Sequence, residues 1–264
     1  MWYKRMGGYP VGQIIAVANQ KGGVGKTTTV INLGASLAAA EKRVLLVDFD
    51  PQANCTSGLG FSRDGSVANA YTVLSGHHRL AEAVVVCGLP NLWLLPGAIA
   101  LAGAEVELAS LKDREFVLRR LIEPLRGEYD YLLVDCPPSL GLLTLNALVA
   151  ADQVLIPIQA EYYALEGVTQ LLQTIERVQN SLNPTLGVRG VLLTMVDERT
   201  NLGRQVSSEV QRHFGRKVYQ SYIPRNVRLA ESPSFGKPVI LYDIASRGAQ
   251  SYLQVAKEFL AHES

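Results

Sequence analysis

The residues of this 264-residue sequence best suited to chemistry are Lys21-Gly22-Gly23-Val24-Gly25-Lys26-Thr27-Thr28. They lie between a short apolar run, Ile14–Val17, and a helix-like run, Thr29–Ala40. Strand, glycine-rich loop and helix start are the context a phosphate-binding loop requires. Gly22, Gly23 and Gly25 let the backbone curl so that successive N–H groups point at an anion. The helix beginning near Lys26 adds its positive dipole end. Lys26 supplies a point charge for the outer phosphates, and the Thr27 hydroxyl is placed to ligand Mg²⁺. Val24 and Thr28 complete the backbone cradle, and the loop is expected to bind a nucleoside triphosphate. In the pattern G-x-x-x-x-G-K-[ST] the first glycine falls at Gln20, and the next residue, Lys21, is a second lysine that holding one nucleotide does not explain.

Carboxylates of the right kind occur elsewhere in the chain. RVLLVDFDPQ places Asp48 at a strand end and Asp50 two residues on; DYLLVDCPPS places Asp135 at another. An apolar strand delivering an aspartate beside a phosphate loop is the Walker B arrangement. Asp135 is expected to hold Mg²⁺ or its waters, with Asp48 next to the metal through water. Asp50, beyond its strand, is better placed to orient or deprotonate an attacking water.

Alternating strand-like and helix-like segments must position these groups. Strands are expected at Ile14–Val17, Arg43–Asp48, Asn91–Leu95, Tyr131–Asp135, Gln153–Ile158, Val188–Thr194 and Val218–Ile223. Helices are expected near Thr29–Ala40, Asp113–Leu125, Leu142–Ala150, Leu165–Leu182, Gly203–Phe214 and Ala249–Ala261, with a turn-rich stretch at Pro51–Ser66. Short apolar strands separated by helices imply an α/β, doubly wound, mostly parallel sheet covered on both faces, with the functional loops at the strands' C-terminal edge. Residues 1–12 are expected to be a flexible extension and 13–264 a single P-loop ATPase domain.

Composition narrows the function classes. The net charge is +1 and hydrophobic residues make up 48% of the chain, ordinary for a globular protein. Cys55, Cys87 and Cys136 are odd in number and widely spaced, giving neither a disulfide framework nor a C-x-x-C metal pair, which suits a reducing cytoplasm. No run approaches the ~20 apolar residues of a membrane span.

KGGVGKTT (Lys21–Thr28) resembles the deviant Walker A loop of the ParA/MinD ATPases. Four further stretches are similar to the short chromosomal ParA (Soj) partition proteins: VDFDPQANCTSGLG (Val47–Gly60), DCPPSLGLLTLNAL (Asp135–Leu148), PIQAEYYALEG (Pro157–Gly167) and IPRNVRLAESPSFGKP (Ile223–Pro238). The resemblance runs from about Ile14 to the C-terminus. It implies ATP and Mg²⁺ as cofactors and an ATP-sandwich homodimer in which Lys21 reaches the partner's phosphates while Lys26 and Thr27 act on their own nucleotide. It implies that Asp50 is the hydrolysis aspartate, that Pro224–Asn226 contacts the adenine, Pro224 and Asn226 mainly through backbone groups, and that a ParB-type protein stimulates turnover.

Between Arg199 and Arg228 there are seven arginines and lysines against one acid, Glu209, an excess of six charges in a chain that totals +1. Such asymmetry is the footprint of a phosphate-backbone binder, although a charge run on a helix face is ordinarily just solvated. In the resembling family this region carries nonspecific DNA binding, which makes Arg199 and Arg228 the leading candidates, followed by Arg204 and Arg225. No helix-turn-helix or zinc-finger pattern is present, so binding to double-stranded DNA should be salt-dependent and indifferent to sequence. The expected location is the cytoplasm, on the nucleoid.

Four alternatives share the loop. A MinD-like membrane-positioning ATPase needs a basic amphipathic tail, which SYLQVAKEFLAHES lacks. A relative of the nitrogenase iron protein needs paired cysteines for a cluster, and a small-molecule kinase has no use for Lys21. A ParA-like ATPase positioning another cargo is not distinguished from chromosome or plasmid partition.

Overall fold

A computed structural model describes residues 11–161, 164–197 and 200–261. Seven strands form one sheet: β1 Gln13–Val17, β2 Val44–Asp48, β3 Val85–Val86, β4 Leu92–Leu95, β5 Tyr131–Asp135, β6 Gln153–Gln159 and β7 Gly187–Thr194. Their spatial order is β3-β4-β2-β5-β1-β6-β7, parallel throughout except for the short edge strand β3. The chain leaves β1 for the β2 side and later crosses from β5 to β6 on the other flank. Beside β1 this reversal opens the crevice in which sheets of this kind bind ligands.

The strands bury both faces. In β1, Ile14 and Ala16 join one core and Ile15 and Val17 the other; in β2, Leu45 and Val47 oppose Val44 and Leu46. Neither face can be polar, so helices cover both. The longer ones are α1 Lys26–Ala39, α5 Leu101–Ala109, α7 Leu142–Ala150, α8 Ala164–Ser181, α9 Asn201–Phe214 and α12 Arg247–Ala261. Shorter α-helical turns are α2 Asn54–Gly58, α3 Ala70–Leu74, α4 Leu80–Ala83, α6 Val117–Ile122, α10 Val227–Glu231 and α11 Val239–Tyr242. Residues of α5–α9 pack on one face, and those of α1, α11 and α12 on the other. Arg189 of β7 clamps α12: its guanidinium stacks 4.1 Å from the Phe259 ring centre and donates to the Phe259 carbonyl at 2.6 Å.

Two expected elements differ. Val218–Ile223 is not a strand: only isolated parallel bridges, Val191–Val218 and Val196–Pro224, join it to the sheet region. The Tyr219 and Ile223 amides bond β7, but those of Gln220 and Ser221 donate to the Glu258 carboxylate of α12 at 2.6 and 2.9 Å. A carboxylate thus takes the donors a ladder needs. Asp113–Leu125 is not one helix either. Asp113 is left-handed (φ 55°), and α6 is flanked by 3₁₀ turns at Arg114–Phe116 and Glu123–Gly127, the second holding Pro124. The turn-rich segment contains α2, and α5 and β3 had no expectation attached.

Buried Asn183 closes the C-terminal end of α7. Its side-chain amide donates to the carbonyls of Leu148, Val149 and Ala151 at 3.2, 3.2 and 2.7 Å. Asn183→Ala should strand these acceptors and cost ~1–3 kcal/mol in urea unfolding with an unchanged m-value.

Candidate nucleotide site

The loop between β1 and α1 needs glycine where the backbone is left-handed, at Gly23 (φ 74°) and Gly25 (φ 88°). Gly25 is the N-cap of α1 and offers no side chain to the helix's free N–H groups. No acid lies in the first turn, where Lys26 stands instead. A helix start so lacking in negative charge is arranged for an anion from outside. Thr194, ending β7, fixes the loop by donating to the Val24 carbonyl at 2.8 Å.

The two lysines face different ways. Lys26 is only 6% exposed, and its ammonium donates to the Lys21 carbonyl at 3.2 Å. Burial lowers its pKa, opposed chiefly by the negative charge of Asp135. The Lys21 side chain is 38% exposed and pairs with Glu161 at 2.9 Å.

β2 and β5 run in register so that Asp48 lies beside Asp135, and Asp135 is also level with Val17 at the end of β1. Both carboxylates are fully buried. Burial first, then the charge of Asp48, pushes Asp135 well above the ordinary carboxylate range; the Thr27 hydroxyl and Lys26 pull the other way. Neither Asp135 oxygen has a hydrogen bond of normal geometry. Buried carboxylate oxygens without donors, beside a threonine hydroxyl and a phosphate loop, fit a hard divalent cation.

Asp48 is occupied differently. Its Oδ2 accepts from the Thr56 amide at 2.7 Å and the Thr56 hydroxyl at 2.6 Å, while that hydroxyl accepts from the Gly97 amide at 2.7 Å. A Cβ on Gly97 would lie 2.8 Å from the Asp48 carboxyl carbon, so glycine is required there. Burial raises the Asp48 pKa to about 6 against these hydrogen bonds. Asp50 is 5% exposed and accepts from the Gln52 amide at 2.9 Å.

Against the loop lies a cavity of about 240 Å³, lined by Gly25, Thr28, Thr194, Met195, Pro224, Asn226, Leu229 and Tyr252, among others. The fold therefore brings Pro224 and Asn226 to the phosphate loop. Asn226 caps α10, its side chain accepting from the Leu229 amide at 3.3 Å. Tyr252 of α12 reaches Thr29 of α1 at 3.2 Å.

Of the basic candidates, Arg225 is exposed and also lines this cavity, and Arg204 is exposed on α9. Arg228 pairs with Glu231 at 2.9 Å and Asp243 at 3.2 Å, so its charge is already matched. Arg199 lies outside the described residues, as do Tyr162 and Tyr163. Cys55, Cys87 and Cys136 are all buried, and burial raises each thiol pKa, that of Cys87 to about 12. Among the described residues no group of three or more His, Cys, Asp or Glu could hold a metal, and no helix is long and apolar enough to cross a membrane. Sequence reading missed Thr56, Gly97, Thr194 and Tyr252. Gly97 and Thr194 lie at strand C-terminal ends, the functional edge.

A parallel sheet with a phosphate loop at its central strand and aspartates ending two neighbouring strands defines a P-loop nucleoside triphosphatase. A family model described as an AAA domain matches residues 12–188. The sporulation initiation inhibitor protein Soj of Bacillus subtilis is 56% identical over 96% of this chain and 100% of its own length. The chromosome partitioning protein ParA of Myxococcus xanthus is 54% identical over 96% and 90%. A solved structure called cobyrinic acid a,c-diamide synthase, from Mycobacterium smegmatis with bound ATP analog and magnesium, superimposes with a TM-score of 0.84 at 41% identity, covering 96% of both chains. The chain belongs to the ParA/Soj family of chromosome-partitioning ATPases.

The buried acids make stability depend on pH. Between its unfolded value of 3.8 and its folded value of about 6, Asp48 keeps a proton in the folded chain that it loses in the unfolded one. Stability must therefore fall as pH rises through that window, by ~1–3 kcal/mol. Asp48→Asn, which keeps an acceptor for Thr56, should flatten this slope when unfolding of nucleotide-free protein is followed from pH 4.5 to 7.5. A slope unchanged by the substitution would remove Asp48 as its source.

Proposed function

We propose that this chain is an ATP-hydrolysing dimerisation switch for chromosome or plasmid partition, with residues 13–264 acting as one ATPase domain. Gly22–Thr28 hold the phosphates of ATP, and Pro224 and Asn226 border its base. Thr27 and Asp135 hold Mg²⁺, with Asp48 behind them through water. The metal supplies charge neutralisation for the transferred phosphoryl group. Asp50, at the rim of this cluster, orients the attacking water, and Lys26 stabilises charge on the nucleotide of its own chain.

The observation that carries the reading is the opposed pair of lysines. Lys26 points into the site and Lys21 lies at its exposed edge, where one residue can serve the nucleotide of a second copy. A cation donated across a dimer would make dimerisation depend on ATP, because two lysine-bearing loops repel without phosphate between them.

The dimer binds double-stranded DNA nonspecifically through the basic region, supported by the local excess of six positive charges. Arg204 and Arg225 are exposed members of it. Arg228 contributes only by exchanging a carboxylate for a phosphate, and Arg199 is included on sequence alone. Hydrolysis stimulated by a ParB-type partner releases the dimer, so the protein resides on the nucleoid in the cytoplasm and needs no membrane.

ATP turnover by the purified protein with DNA, with and without that partner, tests this reading. Turnover that required an amide donor and a carboxylic acid instead would favour the synthase activity named for the Mycobacterium protein. Lys21→Ala should weaken ATP-dependent dimerisation by ~2–5 kcal/mol in sedimentation while sparing nucleotide binding. Asp50→Ala should lower kcat ~10²–10⁴-fold and leave dimers on DNA. Arg204→Glu should reduce the steepness with which DNA retention falls in a salt series, leaving dimerisation intact. Loss of dimerisation in this variant would show that this surface serves the dimer and not DNA.

A further inference from the structure

We infer that Glu161 is a positioning residue that parks Lys21 within its own chain and sets the threshold for dimerisation. The inference rests on the reading that Lys21 acts on a second copy. Glu161 follows β6, the parallel neighbour of β1, so strand pairing brings it to the loop's edge of the sheet. Its Oε2 holds the Lys21 ammonium at 2.9 Å.

Both partners are tethered. The other Glu161 oxygen accepts from the Gln159 side-chain amide, and the Glu161 amide donates to the Gln159 carbonyl at 2.8 Å. At the opposite end, the Lys21 amide donates to the Asn19 side chain at 3.0 Å, and Asn19 donates to the Pro157 carbonyl on β6 at 2.7 Å. The start of the phosphate loop and the end of β6 are thus stitched together twice, and the outer stitch is the ion pair.

Lys21 cannot serve a second copy without leaving Glu161. Their side chains are 38% and 46% exposed, and so open a pair is weak enough to exchange. A triphosphate on a facing chain carries more negative charge than one carboxylate and can outcompete it.

The test is sedimentation of the full chain with a non-hydrolysable ATP analogue and Mg²⁺, comparing parent, Glu161→Gln and Glu161→Asp. Glu161→Gln should dimerise at ~2–30-fold lower protein concentration, the range set by two exposed ion pairs, one in each chain. The unfolding midpoint and the analogue's affinity for dilute monomer should stay unchanged, and a purely structural role would move the midpoint instead. Glu161→Asp, which keeps the carboxylate, should lie closer to the parent. Unchanged or weaker dimerisation in Glu161→Gln would overturn the proposal. Lys21→Ala separates the two levels: if it dimerises like the parent, the role of Lys21 fails, whereas if it does not dimerise and Glu161→Gln shows no shift, only the parking role fails.

Discussion

Two buried carboxylates and a buried ammonium converge at the end of β1, and the rest of the structure depends on how they are tolerated. Asp48 and Asp135 are completely inaccessible, Lys26 nearly so, and burial alone would drive each toward its neutral form. Lys26 offsets part of the negative charge, and Thr56 stabilises Asp48, yet no hydrogen bond of normal geometry reaches the Asp135 oxygens. At the same place α1 begins with free N–H groups and no acid to balance its dipole. A cation for the acids and an anion for the helix start would satisfy both deficits, and a magnesium–triphosphate complex brings both at once. Affinity for such a complex is the counterpart of the stability forgone without it.

The sheet's register converts this electrostatic arrangement into a fixed geometry. β1, β2 and β5 end level, so three strands deliver the loop and the two aspartates to one edge. Helices on both faces keep that edge dry below and open above. The Arg189–Phe259 clamp then seats α12, whose Tyr252 touches α1 one turn past the loop and lines the cavity beside it. One helix therefore links the final turn of the chain to the phosphate site.

What sequence reading recovered was local. An apolar strand announces itself in five residues, a phosphate loop in eight, and the strand-end aspartates follow from the same runs; six of seven expected strands stand within two residues of their observed bounds. It failed where distant groups decide. Nothing in Val218–Ile223 reveals that Glu258 will take two of its amides. LAGAEVELA, by contrast, is rich in strong helix formers and places Leu101, Ala104 and Leu108 at helical spacing, so α5 was legible and was passed over. The Thr56–Gly97 bridge joins positions forty-one apart, and the Tyr252–Thr29 contact joins positions 223 apart. The charge excess in the basic region was legible, but the pairing of Arg228 with Glu231 and Asp243 was not, because Asp243 lies beyond the stretch where the charges were counted.

The Asp48–Thr56–Gly97 bridge bears on how hydrolysis is felt elsewhere. Thr56 sits in α2, directly after the segment that carries Asp50, and its hydroxyl joins Asp48 at the metal side to Gly97 at the end of β4. The Asp48 carboxylate, the start of α2 and the Gly97 turn ahead of α5 are therefore joined through one hydroxyl. A switch needs coupling between the state of its nucleotide and the shape of its surface. Under the function proposed above, the Thr56 hydroxyl is where that coupling would run, beside the phosphate loop.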